Sequence, residues 1–118
     1  MNINFTSSEI GREGEKAVVN YLKEKGYTIN NWNTKAAGST DIEAGSYDVN
    51  GYYKITLLTQ VKTAISPNTP PYLSSEEERN IKSRATRIGA ESWEARVTLS
   101  ETGGYLFQFG DISWRKLD

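Results

Sequence analysis

Apolar residues recur at helical spacing in two stretches of this chain and cluster as strands in five others. Over about Ser7 to Lys25, Ile10, Ala17, Val18, Tyr21 and Leu22 fall on one stripe of a helix. Thr6, Ser7 or Ser8 is placed to cap it, and Gly26 to end it. Gly11 and Gly14 inside it each cost roughly 1 kcal/mol of helix propensity relative to alanine, so a close crossing against a neighbouring element is expected there. A strand is predicted over about Tyr27 to Trp32, followed by a small-residue turn from Lys35 to Thr40 and a short strand, Asp41-Ile42-Glu43-Ala44. Asp48-Val49-Asn50-Gly51 is a hairpin turn signal. Tyr52 to Ala64 is the longest strand, and its Ile55, Leu57, Leu58 and Val61 predict a central, largely buried position. Beyond the proline-rich loop Ser66 to Pro71, Ser75-x-x-Glu78 fits a capping box. It opens a second helix, about Ser75 to Ile88, with Ile81, Ala85 and Ile88 as its apolar face and Gly89 at its end. Trp93 to Leu99 and Tyr105 to Phe109 predict a closing pair of strands around Gly103-Gly104. The order αβββαββ describes one mixed α/β domain over residues 1–118.

Composition narrows the chemistry. A chain of 118 residues buries one core, not two. It has no cysteine and no histidine. Disulfides, thiolate metal sites, Cys nucleophiles, Ser–His–Asp triads and His general bases are therefore excluded. Catalysis would have to come from carboxylates, lysine, hydroxyls or a hard metal on oxygen ligands. Fourteen Lys and Arg against fifteen Asp and Glu leave a net charge of -1, which argues against coating nucleic acid by bulk charge. Met1 to Phe5 has neither the basic nor the apolar run of a signal peptide. No stretch approaches the roughly 18 apolar residues of a membrane span. A cytoplasmic protein is expected.

Three polar positions converge in this layout. Gln60 and Lys62 are two apart on a strand, so their side chains share a face. A hairpin turning near Asn50-Gly51 brings Asp41 beside them, since both lie about ten residues from the turn. Asp41, the Gln60 side-chain oxygen and a backbone carbonyl near Val61 make a hard-oxygen set for Mg²⁺ or Mn²⁺. Such a metal polarises a phosphate and acidifies a bound water, while Lys62 orients or deprotonates that water or neutralises charge in the transition state. Arg12 and Lys35 flank the three as candidate phosphate contacts. Arg79, Lys82 and Arg87 lie on the second helix after Glu76, Glu77 and Glu78, an acid-first order that complements the helix dipole. The three tryptophans are expected in the core or an interface.

Gly11-x-x-x-Glu15 on a helix, then Gly38-Ser39-Thr40-Asp41-Ile42, then Gln60-x-Lys62, resembles the PD-(D/E)XK nuclease superfamily, and most of all the archaeal-type Holliday-junction resolvases. Pro71-Tyr72-Leu73 before a Glu-rich helix, Ile88-Gly89-Ala90, and the Ala-x-Val and Tyr-x-Phe strands extend the likeness over roughly residues 10 to 112. The resemblance implies a restriction-endonuclease-like fold, with a central mixed five-stranded sheet flanked by two helices. It implies a metal-dependent endonuclease on DNA, with four-way junctions as substrate and a homodimer as the working form. It implies Glu15 as the helix carboxylate and a metal ligand, Asp41 as the main ligand, Gln60 at the second acidic position, Lys62 as the catalytic lysine and Ser39 on the scissile phosphate. That family usually carries glutamate where this chain has Gln60. A neutral amide coordinates without adding charge, and Glu43 is the expected compensation. The alternatives are a restriction or repair nuclease on duplex DNA, or a nuclease-like domain that binds nucleic acid or protein without cutting. A dimer interface is expected in the second half, around Trp93, Phe107 and Trp114.

Overall fold

The computed structural model describes residues 6–32, 41–101 and 107–117, with backbone only at 101 and 107–109. The expected turns at 35–40 and 103–104, the candidates Lys35 and Ser39, and the Phe107 side chain lie outside the described residues. The elements run α1 (Ser7–Glu24), β1 (Thr28–Trp32), β2 (Ile42–Tyr47), β3 (Tyr53–Ile65), α2 (Ser75–Ile88), β4 (Glu91–Glu101) and β5 (Phe107–Leu117). One sheet holds all five strands in chain order, with β3 at its centre. β1, β2 and β3 pair antiparallel, β3 and β4 pair parallel across α2, and β4 and β5 pair antiparallel. This is the mixed α/β sheet with two helices that the hydrophobic pattern predicts.

Strand alternation splits the interior into two cores. On one face Val18, Val19 and Leu22 of α1 meet Ile42, Ala44, Leu57, Val61, Ala95, Val97 and Leu99. On the other, Ile81 and Ala85 of α2 meet Leu58, Leu73 and Leu117. The second core is the smaller. The rest of its face carries polar side chains in register. Gln60 lies beside Glu94 and Lys62 beside Arg96 across β3 and β4, and Glu94 lies beside Arg115 across β4 and β5.

Glu94 has no exposed surface. Arg115 grips it with Nε at 3.0 Å and Nη2 at 2.9 Å, and the Leu73 N–H donates to it at 2.8 Å. Arg96 donates from Nε and Nη2 to the Pro70 carbonyl, at 3.0 and 2.7 Å, and its guanidinium stacks 3.9 Å from the Tyr72 ring centroid. Buried polar groups on β4 thus fasten the loop that leads into α2.

The structure moves two local boundaries. The capping box of α2 is Ser74 with Glu77, one residue before the expected Ser75 with Glu78. Both frames exist in Ser74-Ser75-Glu76-Glu77-Glu78. The Glu94 hold on the Leu73 N–H leaves the chain extended through Ser74, which therefore becomes the cap. The last strand runs on to Leu117 rather than stopping at Phe109. Gly110 there is a bulge, skipped between the pairs Leu99↔Phe109 and Thr98↔Asp111. A Cβ at that position would lie 3.0 Å from the Thr98 carbonyl oxygen. A glycine that looks like a strand end is what lets the strand continue. Among the described residues no helix is long and apolar enough to cross a membrane.

The two helix glycines separate cleanly. A Cβ on Gly14 would lie 1.8 Å from Thr63 Oγ1, whereas one on Gly11 meets nothing within 4 Å. Gly14→Ala should destabilise by about 1–3 kcal/mol through overpacking, while Gly11→Ala should stabilise by roughly 1 kcal/mol. Urea unfolding of both variants checks the contrast. Arg115→Met strips the guanidinium from a buried carboxylate and should cost about 3–5 kcal/mol in the same assay.

Candidate functional site

The β2–β3 hairpin turns at Asp48–Tyr52, where the Asp48 N–H donates to the Tyr52 carbonyl and the Asp48 side chain accepts from the Asn50 and Tyr52 N–H groups. Its register pairs Ile42 with Thr59, and the Asp41 N–H donates to the Thr59 carbonyl at 3.0 Å. One further step sets Asp41 opposite Gln60, on the face that Gln60 shares with Lys62. β2 ends here, and the Asp41 carboxylate takes over its hydrogen bonding by accepting from the Val61 N–H at 2.8 Å. Backbone alternation turns the Val61 carbonyl to that same edge. The sequence brings Asp41, Gln60 and Val61 together as expected.

Glu15 arrives from α1. Its Oε1 accepts from Trp32 Nε1 at 2.7 Å, and Arg12 stacks on the Trp32 ring with its guanidinium 4.7 Å from the centroid. Trp32 is paired with Ile42, next to Asp41, and it ties Glu15 and Arg12 to the end of the sheet. Burial raises the Glu15 pKa, the Trp32 N–H opposes it, and the Asp41 charge adds to the rise. Burial also raises Asp41, against the Val61 N–H and the Lys62 charge. Among the described residues neither carboxylate forms a salt bridge.

Lys62 is paired with α2, near enough to Asp41 for its charge to act on that carboxyl. Its Nζ donates to Glu77 Oε2 of α2 at 2.7 Å. Glu43 does not compensate for Gln60. It is buried and paired with Arg84 of α2, with Asn30 on its other oxygen at 3.5 Å. Strand alternation does put it on the Asp41 face, but α2 covers that part of the face and supplies the arginine. The sequence reading missed Trp32, Glu77 and Arg84 as neighbours of the site. The Ser-x-x-Glu pattern locates Glu77 at a cap, but only the packing of α2 on β3 brings its second oxygen to Lys62.

The donor set suits a hard divalent cation. Gln60 Oε1 is buried and has no hydrogen-bond partner. Asp41 is fixed by its bond to the N–H of Val61, the next residue in the chain, and Glu15 on α1 lies close enough to Asp41 for the two charges to interact. Among the described residues no three Asp, Glu, His or Cys side chains gather to hold a metal. A cation here would therefore take at most two carboxylates, with neutral oxygens completing the shell. On the α1 face, Trp93 and Trp114 meet edge-on at 6.1 Å, Tyr21 lies 5.3 Å from Trp114, and with Leu22, Tyr27 and Leu57 they line a cavity of about 470 Å³. Arg79 and Lys82 lie along a groove of α2 that also contains Glu78.

No family model and no curated protein matches the chain. Among solved structures it is similar to the 1.6 Å structure of Archaeoglobus fulgidus Hjc, a Holliday junction resolvase from an archaeal hyperthermophile. The TM-score is 0.54 at 22% identity, over 85% of this chain and 75% of that one. The likeness establishes a resolvase-like fold.

The raised carboxyls give a pH signature. Below the ordinary carboxylate range Asp41 and Glu15 are protonated whether the chain is folded or not, so they cost nothing. As pH rises, the unfolded chain ionises first, and the folded state loses stability until its own raised pKa is passed. Asp41→Asn keeps an acceptor for the Val61 N–H, and Glu15→Gln keeps one for Trp32. Both variants should melt above wild type at pH 7, and the gain should vanish near about pH 3. Thermal unfolding across that range measures it.

Proposed function

We propose that this protein is a metal-dependent nuclease that hydrolyses DNA phosphodiester bonds, with structured DNA such as a four-way junction as its substrate. One observation carries the reading. Two half-buried carboxylates, Asp41 and Glu15, accept from neutral N–H donors and form no salt bridge among the described residues, and the buried Gln60 side-chain oxygen has no hydrogen-bond partner among them. Such an arrangement favours a bound cation. The resolvase-like fold and the Holliday junction resolvase activity of its structural neighbour support DNA as the substrate.

In this reading Asp41, Gln60, the Val61 carbonyl and Glu15 hold Mg²⁺ or Mn²⁺. When bound, that ion polarises the phosphate and lowers the pKa of a water. Lys62, on the same face, stabilises negative charge developing on the phosphate oxygens. Arg12, anchored on Trp32 beside Glu15, contacts a neighbouring phosphate, with Lys35 and Ser39 as further contacts. A two-fold dimer fits a two-fold junction, because it presents one site to each of two strands. The aromatic cluster of Trp93, Trp114 and Tyr21 is its proposed contact. The uncharged Gln60 favours a second reading, a nuclease-like domain that binds DNA without cutting it.

The test is cleavage of a labelled four-way junction and a matched duplex with Mg²⁺ or Mn²⁺. Asp41→Ala and Lys62→Ala should each slow cleavage by about 10²-fold or more. Gln60→Glu, which restores a ligand charge, should lower the Mg²⁺ concentration that gives half the maximal rate. Cleavage indifferent to Asp41→Ala removes the site assignment. Junction binding with no cleavage under either metal selects the second reading.

A further inference from the structure

We propose that Glu77, in the first turn of α2, is a positioning residue that holds the Lys62 ammonium at the candidate site. The hold is geometric, and its catalytic consequence rests on the nuclease reading above.

The Glu77 carboxylate does two jobs at once. Oε1 accepts from the Ser74 N–H at 2.9 Å, while the Ser74 hydroxyl accepts from the Glu77 N–H at 3.1 Å and closes the capping box. Oε2 accepts from Lys62 Nζ at 2.7 Å. A carboxylate free to swing would make a loose partner for lysine. Here the helix cap fixes one oxygen, so the other points in a set direction.

The placement of α2 is itself fixed from inside the sheet. Glu94 holds the Leu73 N–H, and Arg96 holds the Pro70 carbonyl, on the loop that ends at the Ser74 cap. These two residues sit in register beside Gln60 and Lys62. The β4 neighbours of the candidate site thus locate the helix whose carboxylate locates the lysine. The cap itself is exposed, but the Glu94–Leu73 bond is buried, the Arg96–Pro70 and Lys62–Glu77 bonds are partly buried, and the Lys62 and Glu77 side chains are only 25% and 33% exposed. A pair this sheltered is screened less than a surface ion pair. Lys62 has a long, flexible stem that costs side-chain entropy to order. Glu77 orders it before any substrate arrives.

Glu77→Gln isolates the effect. Its single amide oxygen can still serve the Ser74 N–H, which keeps the cap but turns an NH₂ toward the ammonium. The readouts are steady-state cleavage of the junction and the ¹⁵N-lysine NMR signal of the Lys62 side chain, assigned with Lys62→Met. Glu77→Gln should lower kcat by about 10- to 100-fold, as for other groups that orient a functional residue. KM should change little, and the Lys62 signal should shift or broaden. An unchanged kcat overturns the proposal, as does a fall in kcat with an unmoved Lys62 signal. If the wild type cuts no DNA, the nuclease reading fails on that result. The Lys62 signal then decides the hold separately: unmoved in Glu77→Gln it refutes it, and shifted it sustains it.

Discussion

The rest of the structure hangs on a buried carboxylate. Glu94 sits at the middle of the sheet with no exposed surface, where a lone charge would cost several kcal/mol. Burial pushes its pKa up, but the Arg115 fork and the Leu73 N–H outweigh that and hold it below the ordinary carboxylate value. The two partners tie different parts of the chain to one point. Arg115 pins β5 to β4 on one side, and Leu73 pins the loop before α2 on the other. α2 then has one place to start, and its first turn lands over Lys62.

Charge pairing explains how a chain at net -1 presents a candidate cation site. Lys16, Lys62, Arg84, Arg115 and Lys116 each pair with glutamates. Asp41 and Glu15 stay outside these pairs. They are half-buried at the end of the sheet and hydrogen-bonded by a backbone amide and an indole. A nearly neutral protein thereby keeps two carboxylates that burial disfavours as anions and that a bound cation would stabilise. Arg12 on its tryptophan and Lys62 act on these two carboxylates, while Arg79 and Lys82 lie along a groove of α2 that includes Glu78. Any contact with DNA on the proposed reading would have to be local, because a chain at net -1 carries no broad excess of positive charge.

Sheet geometry decides which polar residues cooperate. β2 begins one residue after Asp41, and the Asp41 carboxylate takes the Val61 N–H on β3. A parallel β3–β4 pair then sets Glu94 and Arg96 beside Gln60 and Lys62. The two rows are adjacent: one carries the candidate site's Gln60 and Lys62, and the other fastens the loop and the helix.

The seven elements and their order were legible in the sequence, because amphipathic period and turn residues act over a few positions. Glycine spacing foresaw a close crossing, which Gly14 makes and Gly11 does not. The convergence of Asp41, Gln60 and Val61 was legible too, since a tight hairpin fixes register and alternation fixes faces. The full reach of β5 was hidden, because Gly110 is a breaker unless a facing strand accepts it as a bulge. The choice of Ser74 over Ser75 as cap was hidden because it depends on Glu94, twenty positions away in the chain. Local periodicity determined what the pieces are. Tertiary structure alone decided which polar groups pair, because Glu77 with Lys62, Glu43 with Arg84 and Trp32 with Glu15 join elements whose separation in sequence says nothing about their distance in space.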